Sequence, residues 1–236
     1  MTVYFVGAGI GGLDYLTLKA YKILSQAEVI IHDALIDKEI LNIAPENCLK
    51  IHVGKRGGQK STPQAEINRL LAQLAPKYKV VVRLKGGDVG IFGRLIPELA
   101  TVKAIGVDYQ LIPGISSALA APLLAHIPLT DKDHSSGVMV VSGHNPEKLN
   151  WEILSQIDTL VILMGGRNLS LMVEKLQKYG RPPSHPIAII KEAGGSNTQV
   201  WKGTLSTIVA QTLNISLSPC VIVVGTVVDQ EELKRL

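Results

Sequence analysis

Short apolar, β-branched runs recur along the chain with helix-period segments between them. VYFVG from Val3, EVIIHD from Glu28, CLKIHVG from Cys48, KVVVRL from Lys79 and YQLIPG from Tyr109 make a first set; GVMVVSG from Gly137, TLVILMG from Thr159, PIAIIKE from Pro186 and PCVIVVG from Pro219 make a second. Runs of this kind, separated by amphipathic stretches, predict buried parallel strands joined by helical crossovers. Ser61-Thr62-Pro63 opens the helical segment QAEINRLLAQLA, with a hydroxyl as cap and proline in the first turn. From Pro113 to Asp133 the pattern changes to PGISSALAAPLLAHIPLTDKD, which reads as a loop, a helix and a polar connector. The boundary is placed there, giving an N-terminal α/β domain over 1–115 and a C-terminal one over 116–236. The predicted class is α/β, two domains with mainly parallel sheets.

Composition narrows the function. A chain of 236 residues has room for two domains, and 46% hydrophobic against 19% charged residues supplies a core that a disordered chain lacks. The net charge of +4 comes without a basic run, and aromatic residues are only 4%, so no nucleic-acid partner is expected and an anionic small molecule fits better. Cys48 and Cys220 stand far apart, and His32, His52, His126, His134, His144 and His185 are scattered. Neither set has metal-ligand spacing, so no metal is expected, and the default compartment is a reducing cytoplasm. No stretch of 18 apolar residues and no basic leader occurs, so no membrane association or secretion is expected.

Gly7-Ala8-Gly9-Ile10-Gly11-Gly12 follows the first strand in the G-x-G-x-x-G pattern, and Asp33 ends the second about twenty residues on. As a dinucleotide site, the glycines would admit a pyrophosphate and Asp33 would hold a ribose hydroxyl. The next caps, Asp14 and Thr17, delay the helix whose N-terminus should face the phosphates. On these residues alone a nicotinamide or flavin enzyme, another cofactor and a tight structural turn all remain open.

A longer series of motifs shifts the weighting. GAGIGGLDYLTLKA at Gly7, His32-Asp33, Gly54-Lys55-Arg56-Gly57, VVRLKGGD ending at Asp88, FGR at Phe92, IPGISSA at Ile112, IPLT at Ile127, SGH at Ser142 and LMG at Leu163 occur in one order. Together, from Val3 to about Val228, they resemble the tetrapyrrole methylase family in its uroporphyrinogen-III C-methyltransferase branch. The resemblance implies two α/β domains with S-adenosylmethionine in the cleft between them, usually in a homodimer. It implies C-methylation of uroporphyrinogen III to a precorrin-2-type product on the sirohaem or cobalamin route. A sibling precorrin methylase, a non-catalytic cofactor or tetrapyrrole binder, and a nicotinamide oxidoreductase are the alternatives. The chain departs from the family pattern at Ile10-Gly11-Gly12, Val89-Gly90, Leu95-Ile96-Pro97-Glu98 and Asp131-Lys132.

The family match places Ile10, Gly86, Gly87, Asp88, Ile91, Ser116, Ser117, Met164 and Gly194 around the cofactor. It makes Asp33 the proton acceptor and Lys55 the donor. Glycines bring backbone close to a ligand, and a carboxylate accepts from cationic or hydroxyl groups. The substrate implied is an anionic tetrapyrrole, and guanidinium groups bind carboxylates in bidentate fashion. Arg56, Arg83, Lys85 and Arg94, which sit in or beside the motif loops, are therefore the candidate substrate-binding residues.

Overall fold

The computed structural model describes residues 1–54 and 62–229. The chain divides into two compact units, Met1–Ser116 and Ser117–Leu236.

The first unit runs β1 (Thr2–Gly7), α1 (Leu18–Leu24), β2 (Val29–His32), α2 (Lys38–Leu41), β3 (Leu49–His52), α3 (Gln64–Leu74), β4 (Val80–Lys85), α4 (Leu95–Ala104), β5 (Asp108–Ile112). Its sheet has the order β3-β2-β4-β1-β5 with every pair parallel. Central strands are covered on both faces, which is why they read as continuous apolar runs. Val6, Ile30, Val82 and Leu84 pack against α1 and α2 through Ala20, Ile23, Leu24 and Ile40. Phe5, Ile31 and Val81 pack against α3 and α4 through Ile67, Leu71, Leu99 and Val102. Ile31 and Leu71 are 0% exposed, and full burial of one such side chain contributes about 1.5–3 kcal/mol. α1 starts late, capped by Thr17, whose Oγ1 accepts from the Ala20 amide at 3.2 Å. Pro63 is the residue before α3 rather than part of its first turn.

This strand order has a consequence for ligands. From the carboxyl end of β2 the chain turns towards β3, while from the neighbouring β4 it crosses over β1 to β5, so the two connections diverge. Divergent loops leave a crevice at the carboxyl ends of the strands, where α/β sheets bind ligands.

The second unit runs α5 (Ser117–Leu124), β6 (Val138–Ser142), α6 (Trp151–Leu154), β7 (Thr159–Leu163), α7 (Leu169–Lys178), β8 (Pro186–Lys191), β9 (Gln199–Thr204), α8 (Ile208–Gln211), β10 (Cys220–Val224). Its sheet, β6-β7-β10-β8-β9, is mixed: β6 and β7 are parallel, and the other pairs are antiparallel. The parallel expectation therefore fails for this half, because β9 returns directly from β8 as a hairpin and β10 inserts between β7 and β8. Leu160, Ile162, Ile187, Ile189 and Ile222 pack on α6, α7 and α8, while Val161, Leu163, Ala188, Ile190 and Val223 pack on α5 and the segment after it. β7 and β8 both oppose β10, so their carboxyl ends lie at the same end of the sheet.

Candidate active site

In the first unit the loops leaving β1, β4 and β5 are bound together through glycines. Gly9 and Gly87 exchange backbone hydrogen bonds, Gly9 N to Gly87 O at 3.1 Å and Gly87 N to Gly9 O at 2.8 Å. Both have positive φ, 72° and 66°, which glycine adopts without steric cost. A Cβ on Gly7 would meet Gly114 N and Gly87 O, each at 2.6 Å, and one on Gly9 would lie 2.2 Å from the Tyr15 carbonyl oxygen. The glycine fingerprint thus admits neighbouring chain rather than a pyrophosphate, and a short 3₁₀ turn, Leu13–Tyr15, separates it from α1. The dinucleotide reading loses its two physical supports. Gly86 differs from the others: among the described residues only Leu35 Cβ, at 4.0 Å, lies near its missing side chain. That opening is where a ligand could approach the backbone.

Asp88 ties two of these loops together. Its Oδ1 accepts from the Gly90 amide at 2.8 Å and its Oδ2 from the Gly114 amide at 3.0 Å. Its carboxylate is thus committed to backbone donors that shape the rim. Ile10 is buried at 7% exposure, whereas Ile91 is 43% exposed. Ser116 is buried two residues beyond Gly114, and Ser117 opens α5. In the second unit, Met164 and Gly194 follow β7 and β8 at the same sheet end. Met164 is not core: it is 49% exposed and holds φ 58°. A left-handed backbone at a bulky, exposed residue stores strain of the kind found at functional sites.

Asp33 follows β2, beside β4, its amide bonded to the Leu84 carbonyl at 3.2 Å. Its side chain is 35% exposed, and Oδ1 pairs with Arg83 Nη2 at 2.6 Å. Beneath it, Arg83 and Lys85 are 1% and 3% exposed and meet the fully buried Glu98. Burial and then the Arg83 charge push the Lys85 ammonium below its usual value, against the pull of Glu98. This corrects the assignment of Arg83 and Lys85 as substrate ligands: both cations are engaged by the buried Glu98, and drawing either out would strip that carboxylate of one of its two ion pairs. Arg94 remains exposed, in a left-handed conformation (φ 49°) just before α4. His32 packs beside His52 with ring centroids 5.2 Å apart, and burial lowers its basicity despite a bond to the Asp33 carbonyl. Lys55 and Arg56 lie outside the described residues.

Sequence reasoning missed Glu98 as a member of the site. The available signal was an acid on the inward stripe of α4, in step with Leu95, Leu99 and Val102.

A parallel sheet with a glycine-bound rim, an open approach at Gly86 and a half-exposed carboxylate on the next strand defines an α/β small-molecule site of a non-dinucleotide kind. The sequence profile of the tetrapyrrole (corrin/porphyrin) methylases matches residues 2–209. The uroporphyrinogen-III C-methyltransferase of Synechococcus elongatus is 50% identical over 226 residues, covering 96% of this chain and 93% of the relative. A sirohaem synthase of Pseudoalteromonas atlantica is 41% identical over 98% of this chain, which spans 51% of that longer protein. The crystal structure of the Thermus thermophilus uroporphyrin-III C-methyltransferase with S-adenosyl homocysteine superposes with a TM-score of 0.83 at 33% identity, covering 97% of this chain and 99% of that one. The chain belongs to the tetrapyrrole methylases.

Proposed function

We propose that the protein is an S-adenosylmethionine-dependent uroporphyrinogen-III C-methyltransferase, making a precorrin-2-type product on the sirohaem or cobalamin route. The observation that carries this reading is the pairing of an open glycine approach at Gly86 with a half-exposed carboxylate, Asp33, on the neighbouring strand end. Its support beyond geometry is half-identity to a methyltransferase of that name over nearly all of both chains.

The methyl donor supplies an electrophilic sulfonium methyl. Ile10, Gly86, Gly87, Asp88, Ile91, Ser116, Ser117, Met164 and Gly194 are the proposed residues around it. The Gly86 backbone accepts close approach, and Asp88 keeps the loop rim in shape through Gly90 and Gly114. The pyrrole carbon forms the new C–C bond with its ring electrons as the donor's C–S bond breaks, the electron pair stays on sulfur and S-adenosylhomocysteine is left, and the resulting ring cation then loses one proton from carbon. Asp33 takes that proton, and Lys55 is the proposed donor. Arg94 and Arg56 bind carboxylate arms of the substrate as planar forks. Alignment of the reacting atoms supplies the larger share of the acceleration, about 7–11 kcal/mol in favourable cases.

Homodimeric assembly and a cytoplasmic location belong to the same proposal. They are supported by the family resemblance and by two free cysteines. Among the described residues no helix is long and apolar enough to cross a membrane. The function is tested by incubating the protein anaerobically with methyl-labelled S-adenosylmethionine and uroporphyrinogen III. Label is expected in the tetrapyrrole; label that stays in the donor while S-adenosylhomocysteine still binds would leave a binding protein only.

A further inference from the structure

Behind Asp33 lies a set of charges that the proposed chemistry does not consume. Glu98 on α4 is 0% exposed. Its Oε2 accepts from Arg83 Nε at 3.1 Å, and its Oε1 accepts from Lys85 Nζ at 2.9 Å, Arg83 Nη2 at 3.2 Å and Gln64 Nε2 at 3.3 Å. Arg83 Nη1 donates to the carbonyls of Ile31 at 3.4 Å and Leu84 at 3.1 Å, and Nη2 also reaches Asp33 Oδ1 at 2.6 Å. Every nitrogen of the guanidinium is therefore engaged, and a planar fork bound on all sides has one orientation. Two cations face two carboxylates, so the set is balanced, and of these four side chains Asp33 alone is more than 4% exposed.

Stability does not account for this arrangement. Desolvating two cations and a carboxylate is costly, and apolar side chains of similar volume usually hold a core as well or better. The arrangement does fix one half-exposed carboxylate oxygen at the end of β2. We propose that Glu98 is a positioning residue: it locks Arg83, and through Arg83 it holds Asp33 in the pose that receives the proton released from the methylated ring. This rests on the reading of Asp33 as proton acceptor. In that step a ring C–H bond breaks, its electron pair neutralises the ring cation, and the proton passes to the Asp33 carboxylate.

The test is a double-mutant cycle with a structural arm. Glu98→Gln keeps the side-chain volume, and Lys85→Met/Glu98→Gln also keeps the cluster neutral should the single variant fold poorly. In the Asp33 background, Glu98→Gln is expected to lower single-turnover methylation by about 30-fold or more while S-adenosylhomocysteine affinity stays within about threefold. In the Asp33→Asn background the same change is expected to cost less than about threefold, since residues acting through one group are not additive. The crystal structure of the variant is expected to show Arg83 Nη2 withdrawn from Asp33 beyond hydrogen-bond reach. Equal rate losses in both backgrounds, a parallel fall in affinity, or an unmoved Arg83–Asp33 pair would each overturn the proposal. A wild-type protein that labels no tetrapyrrole would instead overturn the methylation reading, and would do so before any variant is made.

Discussion

At Gly86 the place of a missing Cβ is open, with Leu35 Cβ at 4.0 Å, whereas at Gly114 it lies 2.2 Å from the Gly87 carbonyl oxygen. The two glycines therefore serve different ends. Gly86→Ala is expected to leave the melting temperature within a few degrees and to weaken S-adenosylhomocysteine binding, measured by calorimetry, by about tenfold, or ~1.4 kcal/mol. Gly114→Ala is expected to lower the melting temperature itself, because backbone cannot move aside as a flexible side chain does. Met164 carries the reverse signature, a side chain held at φ 58° although 49% exposed. Met164→Gly relieves that strain, at a gain offset by glycine's greater freedom when unfolded. Unchanged or slightly raised stability with weaker cofactor binding is expected, and clear destabilisation would make Met164 a packing residue.

Among the elements described, nine strands were legible, most of them because they are compact apolar runs of β-branched residues. β9 was not. Gln199, Lys202 and Gly203 give it little strand character, and as an edge strand with largely exposed residues it needs little. The same hairpin, with the insertion of β10, makes the second sheet mixed, a pairing fixed by tertiary contacts rather than by any local pattern. The late start of α1 was readable from Thr17, while the roles of Arg83 and Lys85 were not, because a cation beside a motif looks alike whether it faces a ligand or a buried acid. Asp88 was read as a ligand group, yet its two oxygens bind Gly90 and Gly114. Asp88→Asn replaces one acceptor oxygen with a donor and loses one of these links, with an expected loss of about 1–2 kcal/mol in urea unfolding. A variant as stable as wild type would show that the rim holds without this carboxylate.

For the molecule as a whole, a loss of stability in acid is expected from His185 in the second unit. Burial first, and then the Arg181 charge, lower the His185 pKa from 6.5 to about 4. Below pH 6.5 the unfolded chain takes up a proton that folded His185 refuses until about pH 4. This contribution is thus present above the unfolded value and is lost as pH falls through that window. Solvent screening of a partly exposed ring limits it to about 1–2 kcal/mol. His185→Gln should flatten the fall in urea midpoint between neutral pH and the lower end of that window, and an identical fall in both proteins would place the lability elsewhere. The central claim, that this chain methylates uroporphyrinogen III with Asp33 taking the proton, is most directly tested by one pair of numbers. These are the single-turnover rate of label transfer from S-adenosylmethionine and the affinity for S-adenosylhomocysteine, each in wild type and Asp33→Asn. The account predicts transfer by wild type, affinity of the variant within a few-fold, and a rate lowered by about 10² to 10⁴. Wild-type rate with wild-type affinity in Asp33→Asn, or no transfer by wild type at all, would contradict it.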